Sequence, residues 1–440
     1  MQNYGWDVVC ACSGSYINRQ LQQSTDQLIT SFTYEDSAVK VTGQFGPWQI
    51  VPGGSGPLLQ FETPITQGAV LFKKIDNVTI PLNGTIPLVQ MQLNLAKGKN
   101  QTILNSLVFN CTTAGKRQGD TTPGAVTVIN PDTTGTLAKL PEAERPEAAM
   151  AAALLANALT NVFLQNVAQL NFVFANVLPV PVGQNADWLM PVSAAYAYQQ
   201  PDDNSLGGIA ILGVLDTSSI DSLPRNFDTG LLLNKDFGFL LSARAFMKNV
   251  ILPALPGAFR GNCNVNDLAL NPDNSITMAR GFNLNSVTVG LIDYTPNVTA
   301  LNYHIDDNSI RCYVATSTDI TGLTQAYVTN SVTSNNASSF NVATRALSFL
   351  NDPNESTTRN SYIPCWEKVL GSLTLGIMNV VIEAISLAIQ DSAGNVTSST
   401  TAQALGSVAP GLVSWSGQSS INVNAGGLAD NVYMQGSLNP

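Results

Sequence analysis

Pro141-Glu142-Ala143-Glu144-Arg145-Pro146-Glu147 leads into Leu154-Leu155-Ala156-Asn157-Ala158-Leu159-Thr160-Asn161-Val162-Phe163-Leu164, and this passage decides the fold. Proline and acidic side chains suit the first turn of a helix, where spare N–H groups and the helix dipole favour them. Pro179 and Pro181 cannot continue a helix, so one long helix is predicted between the two pairs of prolines. Leu155, Leu159, Phe163, Leu170 and Phe174 then share a stripe, and Leu154, Leu164 and Val167 widen it beyond an ordinary amphipathic face. A helix this apolar has to be wrapped by other elements.

The flanking sequence supplies the wrapping. From Ser31 to Asn130 short β-branched runs are broken by Gly, Pro and Asn. Val89-Gln90-Met91-Gln92-Leu93-Asn94-Leu95 alternates apolar and amide residues with period two, the pattern of a strand with one wet face. This region is predicted to be antiparallel sheet. Trp188-Leu189-Met190-Pro191, Ala194-Ala195-Tyr196-Ala197-Tyr198 and Ile209-Ala210-Ile211-Leu212 open a second sheet-like region. Before the first sheet, Ser13 or Ser15 caps a helix over about residues 15 to 30, with Ile17, Leu21 and Leu28 on one face. Ser242 to Leu255 reads as another helix, with Phe246 and Met247 on its apolar face, where they would form a second wall of the same groove. Residues 328 to 360 and 396 to 420, rich in Ser, Thr, Asn and Gly, read as exposed loops or edge strands. Val369 to Ile389 has the length to span a membrane, but Asn379 and Glu383 count against that, since a charge at bilayer depth costs about 3 kcal/mol. It fits both a helix, with Leu370, Leu373, Ile377, Val380 and Ala384 as its stripe, and a strand.

Charged residues make up 11% of the 440 and the net charge is −10, so the surface is built of Ser, Thr, Asn and Gln and gives nucleic acid no basic face. The six cysteines are too sparse for a disulfide scaffold and read as reduced, buried thiols. On a strand Cys10 and Cys12 share one face, but no second Cys or His pair follows at metal-ligand spacing, and His304 is the only histidine. No metal or cofactor is implied. The opening residues have no basic start, and Asp7 interrupts the apolar run, so a chain made in the cytoplasm without a signal peptide is expected, released if at all by a non-classical route.

Catalytic chemistry is hard to assemble from what remains. No Gly-x-Ser-x-Gly elbow occurs, and any triad would hang on His304. Gly53-Gly54-Ser55-Gly56 lacks the Gly-Lys-Ser/Thr of a phosphate loop and reads as a turn. Asp202-Asp203-Asn204-Ser205 and Asp306-Asp307-Asn308-Ser309 lack the alternating ligands and distant Glu of a calcium loop, and turn chemistry accounts for both.

Several segments in order resemble the 47-kilodalton accessory proteins of OrfX-type clostridial neurotoxin gene clusters. They are Gly5-Trp6-Asp7-Val8-Val9 with Ile17-Asn18, then Trp48-Gln49-Ile50-Val51-Pro52-Gly53-Gly54-Ser55-Gly56-Pro57-Leu58-Leu59-Gln60-Phe61, and Trp188-Leu189-Met190-Pro191 through Tyr198. Ile209-Ala210-Ile211-Leu212 and Gly238-Phe239-Leu240-Leu241-Ser242 with Ile251-Leu252-Pro253 complete the series, which covers about residues 1 to 260. The resemblance implies a tubular lipid-binding (TULIP-like) fold of the α+β class, mainly antiparallel β, with long apolar helices cradled by strongly curved sheet and room between them for acyl chains. Residues 1–185 would hold the N-terminal helix, curved sheet and long apolar helix, and 186–440 a second curved-sheet half with helix 242–255; one elongated body is the alternative. Leu155, Leu159, Phe163, Leu170, Phe174, Phe246 and Met247 are the lipid-groove candidates, and for any one of the first five plain core is the stronger reading. The function expected is a non-enzymatic accessory protein that interacts with lipid or membrane beside a toxin or other secreted cargo. A structural protein making only protein contacts with other products of the gene cluster, or a β-rich pore-forming toxin component, is the alternative.

Overall fold

The computed structural model describes residues 1–100, 102–135, 148–259, 262–363 and 371–440. Strands hold 42% of the chain and helices 23%, so the molecule is mainly β. Among the described residues Thr113–Ala114 and Ala125–Asn130 form a parallel pair, and the other ladders are antiparallel.

Three large sheets and a smaller one curl around two separate helices. The first sheet orders Ser193–Gln199, Gly208–Val214, Val8–Ser13, Phe237–Leu241, Asn431–Asn439 and Ser420–Ala429 side by side, joining both ends of the chain. Its central strand is buried on both faces: Val8, Cys10 and Cys12 look into the main core, and Val9 and Ala11 into a second, smaller one. The shared face expected of Cys10 and Cys12 is thus observed. Ser13 ends this strand and caps α1 (Gly14–Gln23), its hydroxyl accepting from Tyr16 N–H at 3.1 Å. The helix is shorter than expected, because a 3-10 turn, Thr25–Gln27, follows it.

α2 (Ala148–Gln165) lies over the four-stranded sheet of Ser31–Glu35, Val39–Phe45, Ile65–Phe72 and Val78–Pro81, and over Ala125–Asn130 of the second large sheet. Its acidic introduction, 141–147, lies outside the described residues. The helix stops well short of Pro179. Asn166 turns its side chain back to donate to the Val162 carbonyl at 2.8 Å, Val167–Gln169 form a 3-10 turn, and Val173–Val177 is a strand. The local period changes from 3.6 to two at Asn171-Phe172-Val173-Phe174, so Phe174 is buried from the strand and Phe172 just ahead of it. Ala175 pairs with Leu107 on one side and Trp415 on the other.

Ser242 caps α3 (Ala243–Phe246) by accepting from Ala245 N–H at 3.1 Å, and a π turn, Met247–Ile251, carries the helix into α4 (Leu252–Ala258). The π turn lies just before Pro253, which has no N–H to complete an ordinary helical ladder. Trp188-Leu189, read as strand, is part of a 3-10 turn, Asp187–Leu189.

The third large sheet runs Leu268–Leu270, Ile276–Met278, Asn297–Asp306, Ser309–Asp319, Tyr327–Asn341 and Ala346–Phe349, with Ser356–Tyr362 also paired to Tyr327–Asn341. Along Tyr327–Asn341 the even residues 328 to 336 are buried and those between are not, the period of two that an amide-rich strand needs to cover a core. Ser356–Tyr362 is an exposed edge strand, as its polar composition suggests. Both acidic stretches turn the chain between neighbouring strands, with Asn204 and Asp307 in the left-handed conformation at φ 59° and 53°.

α5 (Gly371–Ser398) covers the inner face of this third sheet and crosses α4 closely at Gly257. Val369–Ile389, left open between helix and strand, is helical from Gly371 on. The buried face runs Ile377, Val381, Ile385, Ala388 and Ile389; Val380 and Ala384, placed on the stripe from sequence, are turned to its edge. α6 (Thr400–Val408) follows, capped by Ser399, where loop or edge strand was expected. Alternation of Ser, Thr and Ala hides a helix that buries only Ala404, Leu405, Gly406 and Val408.

Candidate apolar ligand site

The seven residues picked from sequence are all buried, in two different places. Leu155, Leu159 and Phe163 of α2 have no exposed surface. Phe163 stacks on Phe45 with centroids 5.6 Å apart and meets Trp48 edge-on at 5.5 Å. Phe174 joins the same interior from its strand, 5.0 Å from Phe109 and 4.9 Å from Phe172, and Leu170 closes one end just past the helix. Phe246 and Met247 belong elsewhere: Phe246 lies 6.4 Å from Phe349, in the core beside α5. They do not form a second wall to α2. The aromatic packing around α2 is filled, and none of the seven lines a cavity described below.

An open apolar cleft lies beside α5 instead. Phe259, Leu284, Val287, Val380, Ala384 and Leu387 line about 210 Å³ between the edge of α5, the end of α4 and the chain at 284–287. Glu383 stands at the cleft as its single acid. Beyond Val287 a two-stranded hairpin, Val287–Val289 with Ile292–Tyr294, turns at Gly290 (φ 67°) and carries Leu291 at its tip, fully exposed. Val289 rests on α5 at Gly376, where an added Cβ would stand 3.2 Å from its Cγ1. Leu375 (54% exposed) and Leu387 (43%) of α5 and Ile292 of the hairpin extend the apolar surface on either side. In sequence, Val380 and Ala384 carried part of this signal. The hairpin carried none, because only the tertiary fold lays it on α5.

Polar pockets also occur. About 590 Å³ between Ser13, Ser205, Asn234, Lys235, Asp236 and Asn424 is lined by hydroxyl, amide, charged and backbone groups together with Leu206, Leu232 and Leu233, and Asp236 there accepts from Ser13 and Arg19. Reactive groups are scarce throughout. Burial pushes the Cys10, Cys111 and Cys263 thiols up to about 12, and Cys12 and Cys312 are raised as well. A thiolate, the form that attacks or binds metal, therefore does not form near neutral pH. Cys365 lies outside the described residues. His304 sits on its strand with Nδ1 2.8 Å from Asn302 Oδ1. Among the described residues no three His, Cys, Asp or Glu side chains come together as a metal site.

Comparison with known proteins places this arrangement in a family. The model described as "OrfX-like: Protein OrfX2/OrfX3/P47" matches residues 3–435. The chain belongs to this family, the accessory proteins of toxin gene clusters. It is 29% identical over 255 residues to Protein P47 of Clostridium botulinum (strain Kyoto / Type A2), a match spanning 57% of this chain and 56% of that protein, little more than half of each. The structure of P47 from Clostridium botulinum A2 superposes with a TM-score of 0.73 at 22% identity, over 99% of this chain and 98% of the other. P47 of Clostridium botulinum E1 gives 0.71 at 20% identity over the whole of both chains. These two likenesses establish the fold, mainly antiparallel β in curled sheets.

Proposed function

We propose that the protein is a non-enzymatic accessory protein that interacts with lipid, holding an acyl chain along α5 and acting beside a toxin or other cargo encoded with it. The solvent-open apolar cleft on α5, flanked by exposed leucines on helix and hairpin, carries this reading. Its 210 Å³ is below the about 300 Å³ at which small-molecule pockets begin, so it receives part of a chain, and the rest runs on beneath or along α5. Each methylene taken from water is worth about 0.8 kcal/mol, less the cost of ordering the chain. The TULIP-like reading of the cradled helices belongs to the same proposal. Native mass spectrometry of the purified protein, followed by solvent extraction, tests it. A stoichiometric co-purified lipid, or a mass shift on adding one, is the expected result. A clean mass that no lipid shifts would overturn it.

A second reading, assembly with other products of the gene cluster through protein contacts alone, draws on the edge strand Ser356–Tyr362, whose seven residues are all exposed. Among the described residues its outer edge is unpaired, and an edge of this kind can accept a strand from a partner. Co-purification of such a partner without lipid would favour it.

A further inference from the structure

Orphaned polar groups come together in one place beneath α5. Thr316 and Thr318 on Ser309–Asp319, and Asn330 on Tyr327–Asn341, are almost wholly buried. Yet both threonine hydroxyls and both ends of the Asn330 amide lack hydrogen-bond partners. Buried polar atoms are nearly always paired, because desolvation without a partner is costly. Register puts these groups in a row: Val298 pairs with Thr316, Thr316 with Asn330, and Asn330 with Arg359 on the edge strand. Directly paired residues of an antiparallel ladder share a face with neighbouring Cβ atoms, so Arg359 stands on the same face as the buried amide. The Arg359 side chain is exposed, and its guanidinium makes neither an ion pair nor a hydrogen bond among the described residues. Thr318 is one step along, in the row of Val328 and Ser361.

Resting on the acyl-chain reading above, we propose that the row Thr316–Asn330–Arg359 binds the carboxylate of a fatty acid whose chain passes beneath α5 toward the apolar cleft. A carboxylate accepts only, through two oxygens, and this row presents it with a guanidinium fork, an amide N–H and hydroxyl donors. The row holds a single cation, which suits a singly charged head. The chain's net charge of −10 and Glu383 at the far end of the path disfavour heads of higher charge. The path has a suitable length. Segment 282–284 bonds to 296–298, with Val298 N–H to Phe282 O and Leu284 N–H to Pro296 O both 2.8 Å. Four strand spacings, about 19 Å in all, therefore separate Arg359 from Leu284 at the cleft. α5 lies between as the cover, held near the start of the edge strand by Ser386 donating to Glu355 at 2.6 Å.

The test compares binding of oleic acid, its methyl ester and a lysophospholipid of the same chain to the full-length protein and to Arg359→Met and Asn330→Leu. The unaltered protein is expected to bind the acid about tenfold more tightly than the ester, the difference that one or two charge-assisted hydrogen bonds supply. Arg359→Met should erase that preference while still binding the ester. Arg359 is exposed, so this variant folds even if Asn330→Leu does not. Equal affinity for acid and ester, an acid preference that survives Arg359→Met, or a preference for the lysophospholipid overturns the carboxylate site and leaves the chain-binding reading standing. Failure of the unaltered protein to bind any of the three overturns both.

Discussion

α2 and α5 are long apolar helices laid on curled antiparallel sheet, and both are apolar enough in length and composition to span a membrane, with mean hydropathies of 1.4 and 1.3. What lies beneath them differs. Under α2 the sheets contribute Phe32, Phe45, Trp48, Phe61 and Phe109, rings in tilted and edge-to-face contact whose one polar atom, the buried Trp48 Nε1–H, lacks a hydrogen-bond partner among the described residues. Under α5 the facing strands contribute Thr316, Thr318, Asn330, Ser334 and Asn336, of which only the last two are satisfied, Ser334 by Asn336 and Asn336 by the Leu350 carbonyl. One helix is a core element. The other closes over a face that is partly polar and leaves a cleft along its side. Aromatic rings fill volume and ask for few partners, whereas buried hydroxyl and amide side chains need partners that these strands do not supply. The same architecture thus closes over an aromatic core in one place and leaves an open apolar cleft beside its helix in the other.

The largest effect that follows concerns Phe163. Its ring is wedged between Phe45 and Trp48, so Phe163→Ala should cost about 3–5 kcal/mol, and Phe163→Asp should prevent folding altogether. Denaturant unfolding of the alanine variant measures this directly. An unchanged midpoint together with lost lipid would move the ligand site from α5 to α2 and reverse the contrast.

A smaller effect sharpens it from the other side. Ala384 faces the cleft, which is open to solvent, so an indole placed there has somewhere to go. Ala384→Trp should shift the unfolding free energy by only about 0.5 kcal/mol, as surface changes do, yet remove most of the bound acyl chain. Lipid extraction from variant and unaltered protein prepared side by side decides the matter. Undiminished lipid would show that this cleft is not part of the binding path.

The difference between the helices was only half legible in the sequence. α2 was visible because Leu155, Leu159 and Phe163 recur at helical spacing, but Phe174 was placed on the same stripe when it belongs to a strand. The run Phe172-Val173-Phe174-Ala175 suits either period, and Asn166, which ends the helix by bonding back to Val162, gives no warning in a chain so rich in Asn. α5 was visible as an apolar run, yet helix and strand templates fitted it equally until the sheet beneath fixed which face is covered. The amide alternation that announced a strand was sound from Val89 to Leu95, whereas in Tyr327–Asn341 it went unread: the stretch was expected as exposed loop or edge strand and is instead paired on both sides with alternate residues buried. That Asn330 would stand buried beside Thr316 and in line with Arg359 depends on register between strands far apart in sequence, and no local pattern carries that. The cleft is a product of the same long-range packing.

Charge supplies the smallest expected difference. The four-stranded sheet under α2 is clamped at its rim by Glu35, which bonds Lys73 at 2.7 Å and Lys40 at 3.0 Å. Hydrogen bonds from Lys73 and Lys40 hold the Glu35 carboxyl below its ordinary range, and backbone N–H groups of Ala38 and Val39 do the same for Asp36. A carboxyl lowered on folding adds stability above its unfolded-state pKa and loses it as the pH falls through the folded value. Glu35 is exposed, so salt and solvent screen the clamp and its contribution is small. Glu35→Gln should therefore lower the thermal midpoint slightly at neutral pH. The gap to the unaltered protein should narrow through the carboxylate range and close once Glu35 is protonated. Among the described residues the comparable rim of the third sheet has the single pair Asp306 and Arg311, at 3.7 Å, so Asp306→Asn should move the midpoint less at every pH. Midpoints of the three proteins from neutral to acid pH provide the check. A Glu35→Gln gap that persists unchanged in acid would mean that the clamp acts through packing of the side chains and not through charge.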